Sequence, residues 1–403
     1  MNAPITTYTA SHNIRIITAT SLFDGHDAST NIMRRILQDS GVEVIHLAHN
    51  RSVQELVETA IEEDAQGIAM SSYQGGHMES FKYMIDLLKQ RGASHIKVFG
   101  GGGGVIVADE IAELEAYGVT KIYSTEDGAT MGLQGMANHM IEQMDFSTLD
   151  HHNLTPDALN VENRGVLAGF ITALQQAKAS NPEQLKQLSA LIGPLSDTNN
   201  PPVVGITGTG GAGKSSLTDE IIVRFLHDIK DIDICVICCD PSRRKTGGAL
   251  LGDRIRMNSI SNSERVYMRS LATRDSANEV SEALPEAIMA AKAAGFDLVI
   301  AETAGIGQGD SKITDLADIS IYVMTSDYGA PSQLEKIDML DYADLIVVNK
   351  FEKKGSDDAI RDSRKQVQRN RKDWGAKPET FPVYGTIASK FNDDGVSALY
   401  HGI

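Results

Sequence analysis

The sequence predicts an α/β protein built from two doubly wound parallel sheets, one after the other along the chain. Three observations carry that expectation. Between roughly 12 and 145, short apolar runs alternate with helical patterns five times, as βα units on a parallel sheet do. Past 200 the pattern restarts on Val203-Val204-Gly205-Ile206, followed by Gly208-Thr209-Gly210-Gly211-Ala212-Gly213-Lys214-Ser215 and a helical stretch over 216–226. At 403 residues the chain is long enough for two domains and too long for one ordinary core. The expected division is a first domain over 1–146, a helical element and linker over 147–200, and a second domain over 201–403.

Composition narrows the function classes. Apolar residues make up 41% and charged residues 23% of the chain, ordinary for a water-soluble globular protein. No run approaches the roughly 18 apolar residues of a membrane span, and the first residues lack the basic and apolar regions of a signal peptide. Cys235, Cys238 and Cys239 fall in one apolar segment and read as small core residues of a buried strand rather than a redox or metal site. Together these point to a reducing, cytoplasmic setting. A formal charge of −17 argues against a nucleic-acid surface; the basic stretch over 361–372 reads as the solvated face of a helix.

Taken in order, the first five strands are expected at 14–19, 42–47, 67–71, 96–100 and 121–123, with helices over 30–38, 53–62 and 79–90. Ligands of such sheets bind beyond the carboxyl ends of the strands, so the strand ends are informative. The first leads into Ser21-Leu22-Phe23-Asp24-Gly25-His26-Asp27 and the third into Ser71-Ser72-Tyr73-Gln74-Gly75-Gly76-His77. The fourth leads into Gly100-Gly101-Gly102-Gly103-Gly104 and the fifth into Ser124-Thr125-Glu126-Asp127-Gly128. Five consecutive glycines give up side chains and backbone entropy, as expected where something flat and bulky lies against bare backbone rather than for packing.

Asp-x-His, then Ser-x, then Gly-Gly at successive strand ends resembles the cobalamin-binding domain of adenosylcobalamin-dependent mutases, a flavodoxin-like (Rossmann-type) fold. The resemblance implies that His26 displaces the cofactor's own dimethylbenzimidazole and ligates cobalt from below. It implies that Asp24 orients the imidazole and raises its basicity, and that Ser71, Gly100, Gly101 and Gly102 line a slot for the displaced tail. The family pattern Asp-x-His-x-x-Gly ends here in Ser29, which narrows that position without touching the ligand. His77 has two readings, a corrin contact or a turn cap.

From 147 to 200, helical patterns over 166–174 and 182–192 precede a turn-rich 193–202, read as packing for the next domain and a linker. The strand, glycine-rich loop and helix that follow form a phosphate-binding P-loop, G-x-x-x-x-G-K-S in its expected context. Gly210, Gly211 and Gly213 let backbone N–H groups turn toward phosphate, with Ser216 on the first helical turn. Lys214 can reach the β- and γ-phosphates and the Ser215 hydroxyl can ligate Mg²⁺. The strand over 232–239 ends in Asp240, a plausible Mg²⁺ partner. The following 243–257, mixing glycines, basic groups and Asp253, reads as a loop that reorders around nucleotide.

Strand 296–301 runs into Glu302-Thr303-Ala304-Gly305-Ile306-Gly307-Gln308, where GTPases carry a Mg²⁺ carboxylate and a γ-phosphate-sensing glycine. Gln308 is the expected water-positioning residue. Strand 345–348 ends in Asn349-Lys350-Phe351-Glu352, which resembles the guanine-reading Asn-Lys-x-Asp with a longer carboxylate, and Thr386–Lys390 supplies the last base-side loop. Asp-Pro-Ser, Thr-Gly-Gly, Gly-Asp-x-x-Arg-Met and Glu-Thr-x-Gly-x-Gly-Gln, in that order, resemble the GTP-using metallochaperones that include the methylmalonyl-CoA mutase chaperone. By position, the resemblance implies Lys214 on phosphate, Ser215, Asp240, Asp253 and Glu302 around Mg²⁺, and Arg256 toward nucleotide.

A cobalamin domain followed by such a GTPase is similar to the N-terminal part of the fused isobutyryl-CoA mutase family over about 12–400. That family continues into a mutase barrel holding the acyl-CoA. A barrel needs about 250 residues, and the two domains account for the chain, so the barrel is expected as a partner, in cis or separate. The resemblance implies a homo-oligomer using adenosylcobalamin, GTP and Mg²⁺, with GTP gating cofactor loading and acyl-CoA rearrangement only in the full enzyme. Two other readings stay open: an ATP-preferring metallochaperone, and a nucleotide-binding corrinoid carrier or sensor.

Overall fold

The computed structural model describes residues 6–243, 245–260, 263–274, 280–305 and 311–403. In chain order the elements begin β1 (Arg15–Thr20), α1 (Ala28–Asp39), β2 (Glu43–His46), α2 (Val53–Glu62), β3 (Gly67–Ser71), α3 (His77–Gln90), β4 (Lys97–Gly101), α4 (Ala108–Tyr117), β5 (Lys121–Tyr123) and α5 (Thr125–Met144). They continue α6 (Arg164–Ser180), α7 (Pro182–Asn199), β6 (Val203–Gly208), α8 (Lys214–Asp228), β7 (Ile234–Asp240), β8 (Ala249–Leu251), β9 (Val266–Ala272), α9 (Leu284–Ala294) and β10 (Leu298–Glu302). The last are β11 (Ile319–Thr325), α10 (Pro331–Leu334), α11 (Met339–Tyr342), β12 (Leu345–Asn349), α12 (Ser356–Arg371), β13 (Val383–Thr386) and α13 (Asp394–Tyr400).

Two compact units result, one of residues up to Ala173 together with 242–255, the other of 174–241 together with 256–403. The boundaries expected from pattern, at 146 and 200, are drawn differently by packing. In the first unit a parallel sheet orders its strands β5-β4-β3-β1-β2-β8, so the chain reverses winding between β1 and β3, where such sheets take ligands. Every residue of β1 is buried, as expected for a strand covered on both faces. Ile16, Leu37, Val44, Phe99, Met136, Met140 and Met144 share one core. The second unit's parallel sheet orders β13-β12-β11-β6-β10-β7-β9, with Ile206, Ile221, Val236, Ile300 and Val347 in its core. The three cysteines are buried in β7, the core role read from the sequence.

Four expectations change. Segment 124–128 is no loop: Ser124 caps α5, accepting the Asp127 N–H at 3.1 Å while the Asp127 carboxylate takes the Ser124 N–H at 2.8 Å, a reciprocal cap that starts a helix. The turn-rich 193–199 is the last part of α7, which runs through Pro194. Proline costs a helix one hydrogen bond, but Ile192 and Ser196 are buried and Asn199 donates to the Lys292 and Ala293 carbonyls at the end of α9 (3.1 and 3.3 Å).

Third, 243–257 is not wholly a loop. Ala249–Leu251 forms β8, added parallel to β2 with Val44 opposite Leu250. Arg254 follows and reaches Glu62 at 2.8 Å and Glu63 at 3.4 Å, all three side chains nearly buried. A three-residue strand made by tertiary pairing leaves no period in the sequence. Fourth, two of the five glycines do serve packing: a side chain on Gly100 would run into Phe81 and Ile122, and one on Gly102 into the Ser72 carbonyl. Gly101 and Gly104 have open space or distant neighbours instead, so the bare surface is narrower than the run.

Candidate functional site

In the first unit the candidate residues gather at the carboxyl ends of β1, β3 and β4. Asp24 is 1% exposed and its carboxylate is spoken for on both sides. Oδ1 accepts the His26 N–H at 3.0 Å and lies 2.7 Å from His26 Nδ1; Oδ2 accepts the Tyr73 N–H at 2.5 Å. Burial works against its ionisation, yet the N–H groups of Tyr73 and His26 and the imidazole outweigh it and hold the carboxyl below the usual carboxylate range. A carboxylate facing Nδ1 makes that nitrogen the N–H donor, leaving the Nε2 lone pair for a metal. The His26 side chain is 69% exposed, open to a large ligand, with the Tyr73 ring 5.6 Å away. Phe23, in the same loop, takes a left-handed conformation (φ 64°).

Beside this loop opens a cavity of about 280 Å³ bordered by Ser71 and Gly100–Gly103, with Ser29 at its edge and Met33, Phe99, Met136 and Met140 in its walls. A mostly apolar slot with a hydroxyl and bare backbone at the rim suits a flat heteroaromatic base. Its volume, the open imidazole and the open sides of Gly101 and Gly104 fit a corrinoid with its tail displaced. His77 is buried at the start of α3 and bonds Glu110 through Nε2 at 3.0 Å, a structural pair rather than a free corrin contact.

In the second unit the P-loop joins β6 to α8. Gly208 (φ 143°) leaves no space for a side chain beside the Val323 backbone, and Gly213 (φ 92°) caps α8. Lys214 Nζ donates to the Gly208 and Thr209 carbonyls at 3.2 and 3.4 Å. Ser215 Oγ donates to Glu302 Oε1 at 2.7 Å, and Thr218 Oγ1 to Oε2 at 2.9 Å. Arg256 Nε reaches Ser215 Oγ at 3.2 Å. Glu302 is 1% exposed; burial pushes its carboxyl above the usual range, opposed by the Lys214 charge and the two hydroxyls. Asp240 ends β7, which pairs directly with β10, so Ser215, Asp240 and Glu302 lie on adjoining elements.

These hard oxygens fit Mg²⁺, which takes one or two protein ligands and completes its shell with phosphate and water. Among the described residues no cluster of three or more His, Cys, Asp or Glu side chains forms a closed metal cage. Asp253 is buried and belongs to the first unit's 242–255 segment. Gln308 lies outside the described residues. Gly210 and Gly211 are exposed on the loop and Ser216 is half-buried on α8.

On the base side, Asn349 Nδ2 donates to the Ala212 carbonyl at 2.8 Å while Oδ1 accepts from Thr386 Oγ1 (2.9 Å) and the Ala388 N–H (3.2 Å). It ties β12, the 386–388 loop and the P-loop together. Lys350 (φ 57°) donates to Gly211 at 2.7 Å, and Glu352 is exposed beyond it. Sequence reasoning missed Tyr73, whose N–H fixes Asp24, and Thr218. Thr218 had a signal, standing one helical turn from Ser215; the Tyr73 contact had none.

The family profile described as methylmalonyl Co-A mutase-associated GTPase MeaB matches residues 167–403, and that of the B12 binding domain matches 14–131. Among curated relatives, the chain is 61% identical to a fused isobutyryl-CoA mutase of Cupriavidus metallidurans over 97% of its own length and 35% of that protein. It is 60% identical to a fused isobutyryl-CoA mutase of Geobacillus kaustophilus over 98% of its length and 36% of that protein. A fused isobutyryl-CoA mutase of Nocardia farcinica is 52% identical over 99% and 36%. The chain thus spans about a third of the length of these relatives.

Proposed function

The chain belongs to the methylmalonyl-CoA mutase-associated GTPase MeaB family, with a B12-binding domain ahead of the GTPase, and on that premise we propose that it forms the cofactor-loading portion of an adenosylcobalamin-dependent isobutyryl-CoA mutase. GTP binding and hydrolysis gate loading and protection of the cobalamin. The reversible isobutyryl-CoA/n-butyryl-CoA rearrangement takes place with an acyl-CoA barrel, in cis or in a separate chain. The working form is cytoplasmic and homo-oligomeric. Among the described residues no helix is long and apolar enough to cross a membrane.

One observation carries the reading: the buried Asp24 carboxylate holding Nδ1 of an open His26 at 2.7 Å beside a slot bordered by Ser71 and bare glycines, in a chain that also has the Lys214–Ser215–Glu302 site. His26 binds cobalt through Nε2, and Asp24 keeps the proton on Nδ1. Ser71 and Gly100–Gly102 receive the tail. Bound adenosylcobalamin supplies the radical chemistry of the rearrangement.

At the nucleotide, Gly210, Gly211 and Gly213 present backbone amides to phosphate, Lys214 neutralises the β- and γ-oxygens, and Ser215, Asp240 and Glu302 hold Mg²⁺. Asp253 and Gln308 stand as further Mg²⁺ and water-positioning candidates. Arg256, already at the Ser215 hydroxyl, is placed to contact nucleotide, and Asn349, Lys350 and Glu352 read the base. The test is an absorption titration of the chain with adenosylcobalamin, wild type against His26→Ala. A base-off, histidine-ligated spectrum lost in the variant supports the reading; no binding, or a spectrum indifferent to His26, overturns it.

A further inference from the structure

We propose that Thr30 is a positioning residue for the cobalamin tail: its hydroxyl fixes the Ser71 hydroxyl as a donor to the tail's heteroaromatic nitrogen. The proposal rests on the cobalamin reading above. The parallel register of β1 and β3 sets Thr20 opposite Ser71, and Thr30, in the first turn of α1, comes down onto both. The three hydroxyls close a triangle. Thr30 Oγ1 lies 2.7 Å from Ser71 Oγ, Ser71 Oγ donates to Thr20 Oγ1 at 3.3 Å, and Thr20 and Thr30 are 3.4 Å apart. Thr20 is fully buried and Thr30 is 7% exposed. Thr30 and Ser71 border the cavity; Thr20 stands behind them.

The lengths of the sides decide how the triangle can open. A hydroxyl carries one proton, so a ring of three uses all three protons internally. A benzimidazole-type nitrogen entering the slot only accepts, and needs one of those protons. Ser71 can supply it by giving up the 3.3 Å bond to Thr20, the weaker of its two. The 2.7 Å bond from Thr30 then remains, and a hydroxyl that accepts while it donates is a better donor. Without Thr30 Oγ1 the Ser71 proton still has Thr20 to turn to, and nothing polarises it toward the slot. The neighbouring walls, Met33, Phe99, Met136 and Met140, offer no replacement beyond weak sulfur acceptors.

The experiment measures dissociation constants of the full chain for adenosylcobalamin and for adenosylcobinamide, which lacks the nucleotide tail. The variants are Thr30→Val, Thr30→Ser, Ser71→Ala and the Thr30→Val/Ser71→Ala pair. The wild-type preference for the tailed cofactor shrinks about tenfold in Thr30→Val, a typical worth of one hydrogen bond at a polar site, and returns in Thr30→Ser. The double variant loses no more than Ser71→Ala alone, because Thr30 acts through Ser71. An unchanged preference in Thr30→Val, equal loss for both ligands, or additive losses in the double variant overturns the proposal while leaving the cobalamin reading intact. Failure of the wild type to bind adenosylcobalamin sinks that reading and the proposal with it.

Discussion

Ser215 Oγ and Glu302 Oε1 stand 2.7 Å apart, the hydroxyl donating and the carboxylate accepting, with both residues buried. One comes from the first turn of α8 and the other from the end of β10, which pairs directly with β6. The same two oxygens that a divalent cation would share are held together by a proton until one arrives. Metal entry need only take over an existing geometry.

Changing Glu302→Gln removes the charge while keeping the shape. Mg²⁺-dependent phosphate release from GTP is expected to fall about 10²–10³-fold, the scale for losing one preorganised electrostatic group. GDP binding in the presence of a chelator changes far less, because Glu302 bonds Ser215 and Thr218 rather than the base side. Equal losses in both assays would contradict the metal role.

Glu352 is exposed three residues beyond Asn349, one methylene longer than the usual aspartate. Glu352→Asp is expected to raise the GTP-over-ATP ratio of kcat/KM by about tenfold, and Glu352→Ala to lower it by a similar factor, each about one charge-assisted hydrogen bond. Ratios unchanged in both variants would remove Glu352 from base reading.

Arg254→Met tests how firmly segment 242–255 is held. Arg254 pairs with Glu62 and Glu63, and Glu63 also pairs with Arg15 at 3.1 Å. Removing one cation from a buried ionic group costs about 3–5 kcal/mol, read as a lower urea midpoint for the first unit. A shift below about 1 kcal/mol would mean the pairs behave like surface ones.

His46 sits 3.0 Å from Thr18 Oγ1 and His95 stacks on His151 at 4.4 Å. Burial pushes both imidazoles down to about 4 from 6.5, helped at His46 by the Arg34 charge and at His95 by His151. Between those values the unfolded chain binds protons that the folded chain refuses. Their contribution to stability is therefore whole above pH 6.5 and is lost progressively as the pH falls toward 4. The urea midpoint should fall through that window, and fall less steeply in His46→Gln/His95→Gln. Identical slopes would rule these residues out as the cause.

The sequence by itself determined both sheets and most of each site. Period and length marked the βα units, because a buried parallel strand and an amphipathic helix leave their patterns in the order of residues. Gly208–Ser215 declares its function locally, since phosphate binding is done by consecutive backbone amides. Asp24 and His26 were legible for the same reason, being two positions apart on one loop. Tertiary structure alone decided what depends on residues distant in the chain. Leu250 has no strand signal until Val44 lies beside it, and Gly100 is needed because Phe81 and Ile122 fill its flank. Thr30 is an unremarkable helix residue until folding brings Ser71 within 2.7 Å. A contact across 41 positions has no period to betray it; it exists only once the packing that makes it exists.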